Sequence, residues 1–205
     1  MSTSNKIEAF PHRIGPYNPP YVASPSAMKK WLDAHLPTAR KFVIDGVVTF
    51  VCREGSKLTL FVHAAEELLY VMELFKLGVK LSAELPPELR RRANYQGSVW
   101  RSKHLQSLHD SFASAVFDKL LLSGTRNVVS DSQQSADGEA FWYRRCLFAL
   151  RNGLHVYGLD CELKSGTLVI EKATLLKDLS LFDTFYSEGE DYSGYYKRLA
   201  IVKKS

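Results

Sequence analysis

Apolar and polar residues change their spacing several times along the chain, and the first changes predict a helix followed by a hairpin. Apolar residues recur at intervals of three and four after Ser24-Pro25, so we expect a short helix that ends at Pro37. Two runs rich in β-branched and aromatic residues follow, over 41–53 and 57–64. A Glu-Gly-Ser turn separates them, so they predict an antiparallel hairpin.

The pattern beyond this hairpin predicts helices that alternate with strands. Residues 65–81 carry apolar side chains at a helical spacing and predict a helix that Gly78 ends. The remaining elements, in chain order, are an amphipathic helix over 105–122, a buried strand over 127–130, a helix from Ser135 or Asp137 to Asn152-Gly153, and a hairpin of 154–163 with 167–174. Helices and strands are therefore mixed along the chain.

The two ends of the chain differ in composition from its middle. Prolines recur through residues 1–25, and because each proline fixes φ and lacks a backbone donor, we expect this segment to be extended. Residues 178–205 are rich in phenylalanine and tyrosine and predict a strand with a mobile loop. No internal repeat or low-complexity linker divides the chain, so we treat residues 1–205 as a single domain.

Composition limits the classes of protein to consider. Hydrophobic residues make up 45% of the chain and charged residues 24%, which is typical of a soluble globular protein. Three cysteines lie far apart without CxxC spacing, which argues against disulfides and zinc sites and favours the cytoplasm. No long apolar stretch occurs, so no membrane partner is expected. The net charge of +5 favours an anionic partner but does not choose among nucleic acid, a phosphorylated cofactor and an acidic protein.

Residues 121–146 carry the most distinctive local sequence, LLSGTRNVVSDSQQSADGEAFWYRRC. A strand ending in Ser-Asp is followed there by Gln, Ser, Gly and a helical Trp, and this run resembles a divergent, phage-encoded branch of the GNAT superfamily of N-acetyltransferases. The resemblance covers residues 100–173, and the N-terminal half only by element order. It implies an α/β (α+β) fold, in which a mixed, mostly antiparallel central sheet carries helices on both faces. It also implies acetyl-CoA as the cofactor and acyl transfer to an amine.

The resemblance assigns the cofactor to a basic turn before the long helix. In the family, the pyrophosphate of acetyl-CoA lies at that helix's N-terminus, where free N–H groups and the helix dipole attract an anion. The assigned residues are Arg101, Ser102, Lys103, His104, Gln106 and Ser107. Arg101 and Lys103 would neutralise phosphate, and Ser107 would add a hydrogen bond. The turn lacks the glycines usual in the family, so a basic turn that only caps a core helix is the alternative.

Three residues are candidates for catalysis. Ser130 and Asp131 end a strand, on the side of an open α/β sheet where ligands usually bind. Asp131 would orient an amine or act as a base, or else satisfy backbone donors in a turn. Tyr143 is the candidate general acid for the leaving thiolate, although Trp142 occupies the position that matches the family's tyrosine; a surface or packing role is its alternative. The histidines show no spacing that suits a metal site, so no metal is expected.

Three functions stay open at this level. The first is an acyltransferase that moves an acetyl group from coenzyme A to an amine. The second is a non-enzymatic phage protein that captures a host protein, using the aromatic residues of 182–196. The third is a nucleic-acid-directed member that binds phosphate through the arginines of 90–92 and the basic turn. The third ranks last because the chain carries no known nucleic-acid motif.

Overall fold

Four helices and ten strands make up the fold within the part of the chain that the computed structural model describes. That part consists of residues 19–76, 79–81, 85–91, 94–102, 112–123, 127–130, 136–164, 167–178, 180–181, 185 and 195–202. The helices are α1 (Pro25–His35), α2 (Pro87–Arg91), α3 (Phe112–Ser123) and α4 (Ala136–Arg151). The strands are β1 (Arg40–Ile44), β2 (Val47–Glu54), β3 (Lys57–Ala64), β4 (Glu67–Lys76), β5 (Val79–Leu81), β6 (Asn94–Arg101), β7 (Asn127–Val129), β8 (His155–Lys164), β9 (Thr167–Leu176) and β10 (Tyr195–Val202).

All ten strands belong to one sheet, in the order β1-β2-β3-β4-β6-β7-β10-β8-β9-β5. Neighbouring strands are antiparallel except for the pairs β6–β7 and β5–β9. The chain passes from β6 to the parallel β7 through α3, since parallel neighbours need a crossover connection. The predicted α/β (α+β) class with a mixed, mostly antiparallel sheet is therefore confirmed.

Helices cover both faces of this sheet. Val116 of α3 joins a buried cluster that includes Met72 of β4, on the face where α4 also packs. Val71, the residue before Met72 in β4, points to the other face of the sheet, because successive strand residues point to opposite faces. It belongs to a separate cluster with Leu32 of α1. Leu89 of α2 lies in a third cluster, on the same face as α1. The core is thus divided into two layers by the sheet.

Elements marked by local turn chemistry form where the sequence predicts them. Ser24 caps α1 by accepting a hydrogen bond from the Ala27 N–H (3.2 Å), with Pro25 at the first helical position. The hairpins β2–β3 and β8–β9, the buried strand β7 and helix α4 are likewise confirmed. Gly153, just past α4, has a φ of 69°, a conformation that glycine adopts without strain and that ends helices. The candidate cap Ser135 lies outside the described residues.

The run 41–53 forms two strands rather than one. Strands β1 and β2 pair as an additional hairpin around Asp45-Gly46, whose φ values are 50° and 77°. Positive φ at both central residues characterises the two-residue turn that matches the twist of a hairpin, and Asp-Gly is one of the pairs that favours it. The prediction of a single strand is therefore wrong, and the reason is a turn signal inside an otherwise continuous β-rich run.

The helix predicted over 65–81 is also wrong. This segment contains β4, which forms a hairpin with β3, and the short strand β5. Both faces of β4 are covered, so Val71 and Met72 are each fully buried. A strand buried on both faces carries apolar residues at successive positions, and spacing alone does not separate that pattern from a buried helix. Gly78, the predicted cap, lies outside the described residues.

Three other segments complete the comparison with the sequence. Strand β6 has no counterpart among the predicted elements. The helix predicted over 105–122 is observed from Phe112 onward as α3, and residues 103–111 lie outside the described part. Of the proline-rich segment, Pro20–Val22 form a short 3₁₀ helix rather than extended chain.

Strand β10 holds two parts of the sheet together. It pairs with β7 through Ala200 and Ile201, and with β8 along all eight of its residues. In the described part of the chain, β10 is the strand through which hydrogen bonding passes from the β1–β7 side to the β8, β9 and β5 side. The strand predicted within 178–205 is thus observed, in the middle of the sheet.

Candidate functional site

The parallel strands β6 and β7 separate after three residue pairs. Their register runs from Asn94 opposite Asn127 to Gln96 opposite Val129, where β7 ends. Strand β6 continues to Arg101 and stays paired with β4 on its other side, where Arg101 lies opposite Tyr70. Residues 97–101 therefore have no strand partner on the β7 side among the described residues. We call this opening the β6–β7 gap.

Gly97 lies at the point where the β6–β7 gap begins. A Cβ atom at this position would come within 3.0 Å of the Phe117 ring of α3 and 3.3 Å of Leu74 of β4. The absence of a side chain therefore lets α3 pack directly against the sheet beside the opening. Helix α3 and the free edge of β6 thus form adjoining walls of the gap.

Ser130 follows β7 at the far side of the gap and is fully buried. Its N–H donates a hydrogen bond to the Leu199 carbonyl (2.8 Å), and its Oγ accepts one from the Leu199 N–H (2.8 Å). The Ser130 side chain therefore extends the pairing of β7 with β10 by one step. Its catalytic role stays a prediction, and the contacts show that its acceptor oxygen is already used by the backbone.

Few of the other residues assigned to the site lie in the described part of the chain. Arg101 is the last residue of β6, at the open end of the gap. Ser102 is buried, its N–H donates to the Leu69 carbonyl (3.0 Å), and its hydroxyl is 3.4 Å from a Glu67 carboxylate oxygen. The assigned residues outside the described ranges are Asp131, Lys103, His104, Gln106 and Ser107. Ser130 thus lies at the closed end of the gap, level with Gly97, and Arg101 lies four residues further along β6 at the open end.

Tyr143 and Trp142 project differently from α4. Trp142 is 8% exposed and packs in the core, with its ring centroid 6.1 Å from that of Phe117. Tyr143 is 36% exposed, consistent with one residue's rotation of about 100° around a helix. Trp142 is therefore a core side chain, and the candidate acid Tyr143 faces outward.

A buried carboxylate near the gap escaped the sequence analysis. Glu73 of β4 is 2% exposed and binds the Lys57 ammonium (2.8 Å) and the Tyr21 hydroxyl (2.8 Å). Burial raises the pKa of Tyr21, so its hydroxyl stays protonated and donates. Glu73 lies opposite Ser98 in the β4–β6 ladder, one strand away from the free edge. The one available signal was a glutamate inside the apolar run 68–75.

A second polar cluster connects α2 to the sheet. The Glu88 carboxylate accepts hydrogen bonds from the Tyr157 hydroxyl (2.7 Å) and lies 3.1 Å from the His155 Nδ1. The Tyr157 hydrogen bond lowers the pKa of Glu88, and burial together with Glu88 raises that of Tyr157. Asn127 at the start of β7 donates to the Glu88 carbonyl (3.0 Å). The cluster therefore lies at the end of β7 where β6 and β7 are paired, away from the opening.

The three cysteines lie in buried environments, which do not favour a nucleophilic thiolate. Cys52, Cys146 and Cys161 are all buried, and none of them forms a disulfide. Burial raises the pKa of the Cys146 thiol to about 12 and also raises that of Cys52. Because the thiolate is the reactive form, these two thiols are unreactive at neutral pH.

Among the residues whose positions the structure describes, no group of three His, Cys, Asp or Glu side chains is placed to hold a metal ion. Within the same residues, no helix has the length and apolar character needed to cross a membrane.

Comparison with known proteins does not assign the chain. No protein-family model, curated protein or solved structure matches it significantly. Any functional assignment therefore depends on the geometry of the structure itself.

Proposed function

We propose that the protein is an acetyl-CoA-dependent N-acyltransferase that uses the β6–β7 gap as its cofactor cleft. The observation that supports this proposal is the edge of β6 over residues 97–101, which stays paired with β4 and has no strand partner on its other side among the described residues. An unpaired strand edge presents N–H and C=O groups that bind an extended amide-containing ligand as if it were another strand. The pantetheine arm of coenzyme A is such a ligand.

The dimensions of the free edge suit this role. Five residues of β6 span roughly 16 Å, at about 3.3 Å per residue. Arg101 lies at one end of that length, and the connection from β6 to α3 begins there. The phosphates would therefore meet Arg101 and the basic turn that follows it, while the thioester would lie deeper, towards Gly97.

Chemistry in this cleft would depend on positioning and backbone polarisation. A backbone N–H directed at the thioester carbonyl would stabilise the oxyanion formed when the amine nitrogen attacks the carbonyl carbon. The sulfur leaves as a thiolate, and the amine loses one proton. Asp131, the residue after Ser130 in sequence, is the proposed base that takes this proton.

Thermal denaturation with acetyl-CoA tests the proposal. A ligand present at 100 times its Kd stabilises the folded state by about 2.7 kcal/mol. For a chain of this size, that corresponds to a rise in Tm of about 5–10 °C. Arg101→Glu should abolish most of this rise, whereas the matched change Arg151→Glu, at the exposed end of α4, should leave it intact. Absence of any rise at millimolar acetyl-CoA would contradict the proposal.

A second candidate function is capture of a partner protein without acyl transfer, as in the phage–host interpretation. It is favoured by β1, an edge strand on which Val43 is 62% exposed, beside Val48 of β2 at 39%. Exposed apolar residues on a free edge favour pairing with a strand of another protein. Retention of a host protein that Val43→Lys abolishes would support this function, and retention that is insensitive to Val43→Lys would count against it. Binding to nucleic acid stays a prediction, to be tested by its salt dependence.

A further inference from the structure

A groove of about 790 Å³ lies between α3 and the β1–β3 end of the sheet. Its floor is apolar and includes Val51, Leu58 and Leu60, and its wall is formed by Val116 and Leu120 of α3. The volume falls within the range of small-molecule sites, which is about 300–1,000 Å³. The groove is therefore large enough for a ligand and apolar enough to bind a hydrocarbon chain.

The groove exists because α3 does not extend over the edge of the sheet. Phe42 of β1 points to the same face as α3, yet its side chain stays 45% exposed. Ile44, two residues further along β1 and on the same face, is buried at 8% exposure. The apolar floor therefore continues outward from the core to an edge that no described helix covers, and a ligand there would remove more apolar surface from water.

Among the described residues, the charged side chains that line the groove are all cationic. They are Arg40 of β1, Arg53 of β2 and Lys119 of α3. The carboxylate next to Lys119 in sequence, Asp118, is instead paired with Arg145 of α4. Arg53 uses its Nε to donate to the Gly55 carbonyl (3.0 Å), which leaves the outer guanidinium nitrogens for another acceptor. The rim therefore complements an anion.

The groove and the open end of the β6–β7 gap lie towards opposite ends of α3, and Leu74 of β4 lies between the groove and the closed end of the gap at Gly97. The N-terminal residue of α3, Phe112, contacts Tyr70, which is the ladder partner of Arg101 at the open end of the gap. The groove is lined by the other end of α3, from Val116 to Ser123. The whole helix is about 18 Å long at 1.5 Å per residue. Binding at one site therefore does not require the other.

We propose that this groove binds a medium- or long-chain fatty acid, with the hydrocarbon chain on the apolar floor and the carboxylate between Arg40 and Lys119. Each CH₂ that enters the groove should strengthen binding about fourfold, since one buried CH₂ contributes about 0.8 kcal/mol. Affinity should therefore rise steeply from hexanoate to decanoate and level off once the groove is filled. The carboxylate adds charge-assisted contacts that an uncharged chain lacks.

Calorimetric titration of the full chain with hexanoate, octanoate, decanoate and dodecanoate, each below its micelle concentration, tests this proposal. Arg40→Glu and Lys119→Glu should each weaken decanoate binding at least tenfold. Lys41→Glu is the matched control, because Lys41 is the exposed neighbour of Arg40 in β1 and points to the other face. Decyltrimethylammonium, with the same chain and the opposite charge, should bind at least tenfold more weakly than decanoate. All three sites are exposed, so the variants should keep the wild-type Tm and serve as valid comparisons.

Several outcomes would overturn the assignment. They are absence of binding at 1 mM decanoate, equal binding of the cationic analogue, and a loss in Lys41→Glu as large as that in Lys119→Glu. Competition between decanoate and acetyl-CoA would also overturn it, by placing both ligands in one site. Failure of acetyl-CoA to bind, with decanoate binding retained, would overturn the proposed acyltransferase and leave the groove assignment intact.

Discussion

Gly158 offers a sharp test of how the segment before β10 is anchored to the sheet. Gly158 lies in β8, opposite Leu199 of β10. The ring of Phe185 rests against it, and a Cβ at position 158 would lie 2.6 and 2.7 Å from two ring carbons. Ordinary contacts between carbon atoms are about 3.5–4.0 Å, so in Gly158→Ala the ring must retreat by about 1 Å. Phe185 is 7% exposed and packed in the core, which leaves little room for that retreat.

The expected cost follows from the two ways in which the structure can respond. Forcing an extra methyl group into a packed core costs about 1–3 kcal/mol. Expelling the ring altogether costs about 3–5 kcal/mol, which sets the upper limit. We expect Gly158→Ala to lower the free energy of unfolding by about 2–3 kcal/mol. For a domain of this size, the Tm should fall by about 4–12 °C.

A double-mutant cycle with Phe185→Ala separates this clash from any general effect of the substitution. Once the ring is removed, the added methyl group has no clash, and alanine is also less flexible than glycine in the unfolded chain. Gly158→Ala should therefore be neutral or slightly stabilising in the Phe185→Ala background, which gives a coupling energy of at least about 2 kcal/mol. Urea denaturation followed by circular dichroism measures all four proteins. Equal costs of Gly158→Ala in the two backgrounds would refute the reasoning.

Three further predictions concern ionisable and thiol groups. The pKa of Glu88 in the folded protein lies below its usual 4.5, so the contribution of Glu88 to stability is present above pH 4.5 and is lost as the pH falls through the folded pKa. Removal of its hydrogen-bond donor in Tyr157→Phe should therefore lower Tm by about 3–6 °C at pH 7 and by less at pH 3. An equal loss of Tm at both pH values would contradict this. Lys57→Met leaves the carboxylate of Glu73 buried without its cation and should cost about 3 kcal/mol in urea denaturation, whereas a cost below about 1 kcal/mol would show that this ion pair is not needed. Cys146 should not react with a thiol reagent at pH 8 until the protein unfolds, and rapid labelling in the native state would contradict the burial described above.

Features that depend on local backbone chemistry are predictable from the sequence. Ser24 and Gly153 mark the ends of helices because a cap needs only its own neighbours. The same argument applied to Asp45-Gly46 would have separated β1 from β2, so that error was avoidable. These signals act over a few residues and do not depend on the rest of the fold.

Features that depend on the position of a strand in the sheet are not predictable in this way. The helical spacing of 65–81 and the two-sided burial of β4 produce the same apolar pattern, and the choice between them depends on the helices on both faces. The β6–β7 gap depends on where β7 stops relative to β6, which is a matter of register. Glu88 and Tyr157 are 69 residues apart, so their hydrogen bond has no local signature.

The place of β10 has a consequence for how the chain folds. Strands β1 to β4 pair with their neighbours in sequence through short loops, so we expect them to form early. The strand β10 follows all the others along the chain, yet it lies between β7 and β8, so both must leave an edge open until it arrives. We therefore expect a folding intermediate in which two parts of the sheet have formed and β10 has not yet inserted between them. In that intermediate, the open edges of β7 and β8 are the surfaces most prone to pair with a strand of another chain.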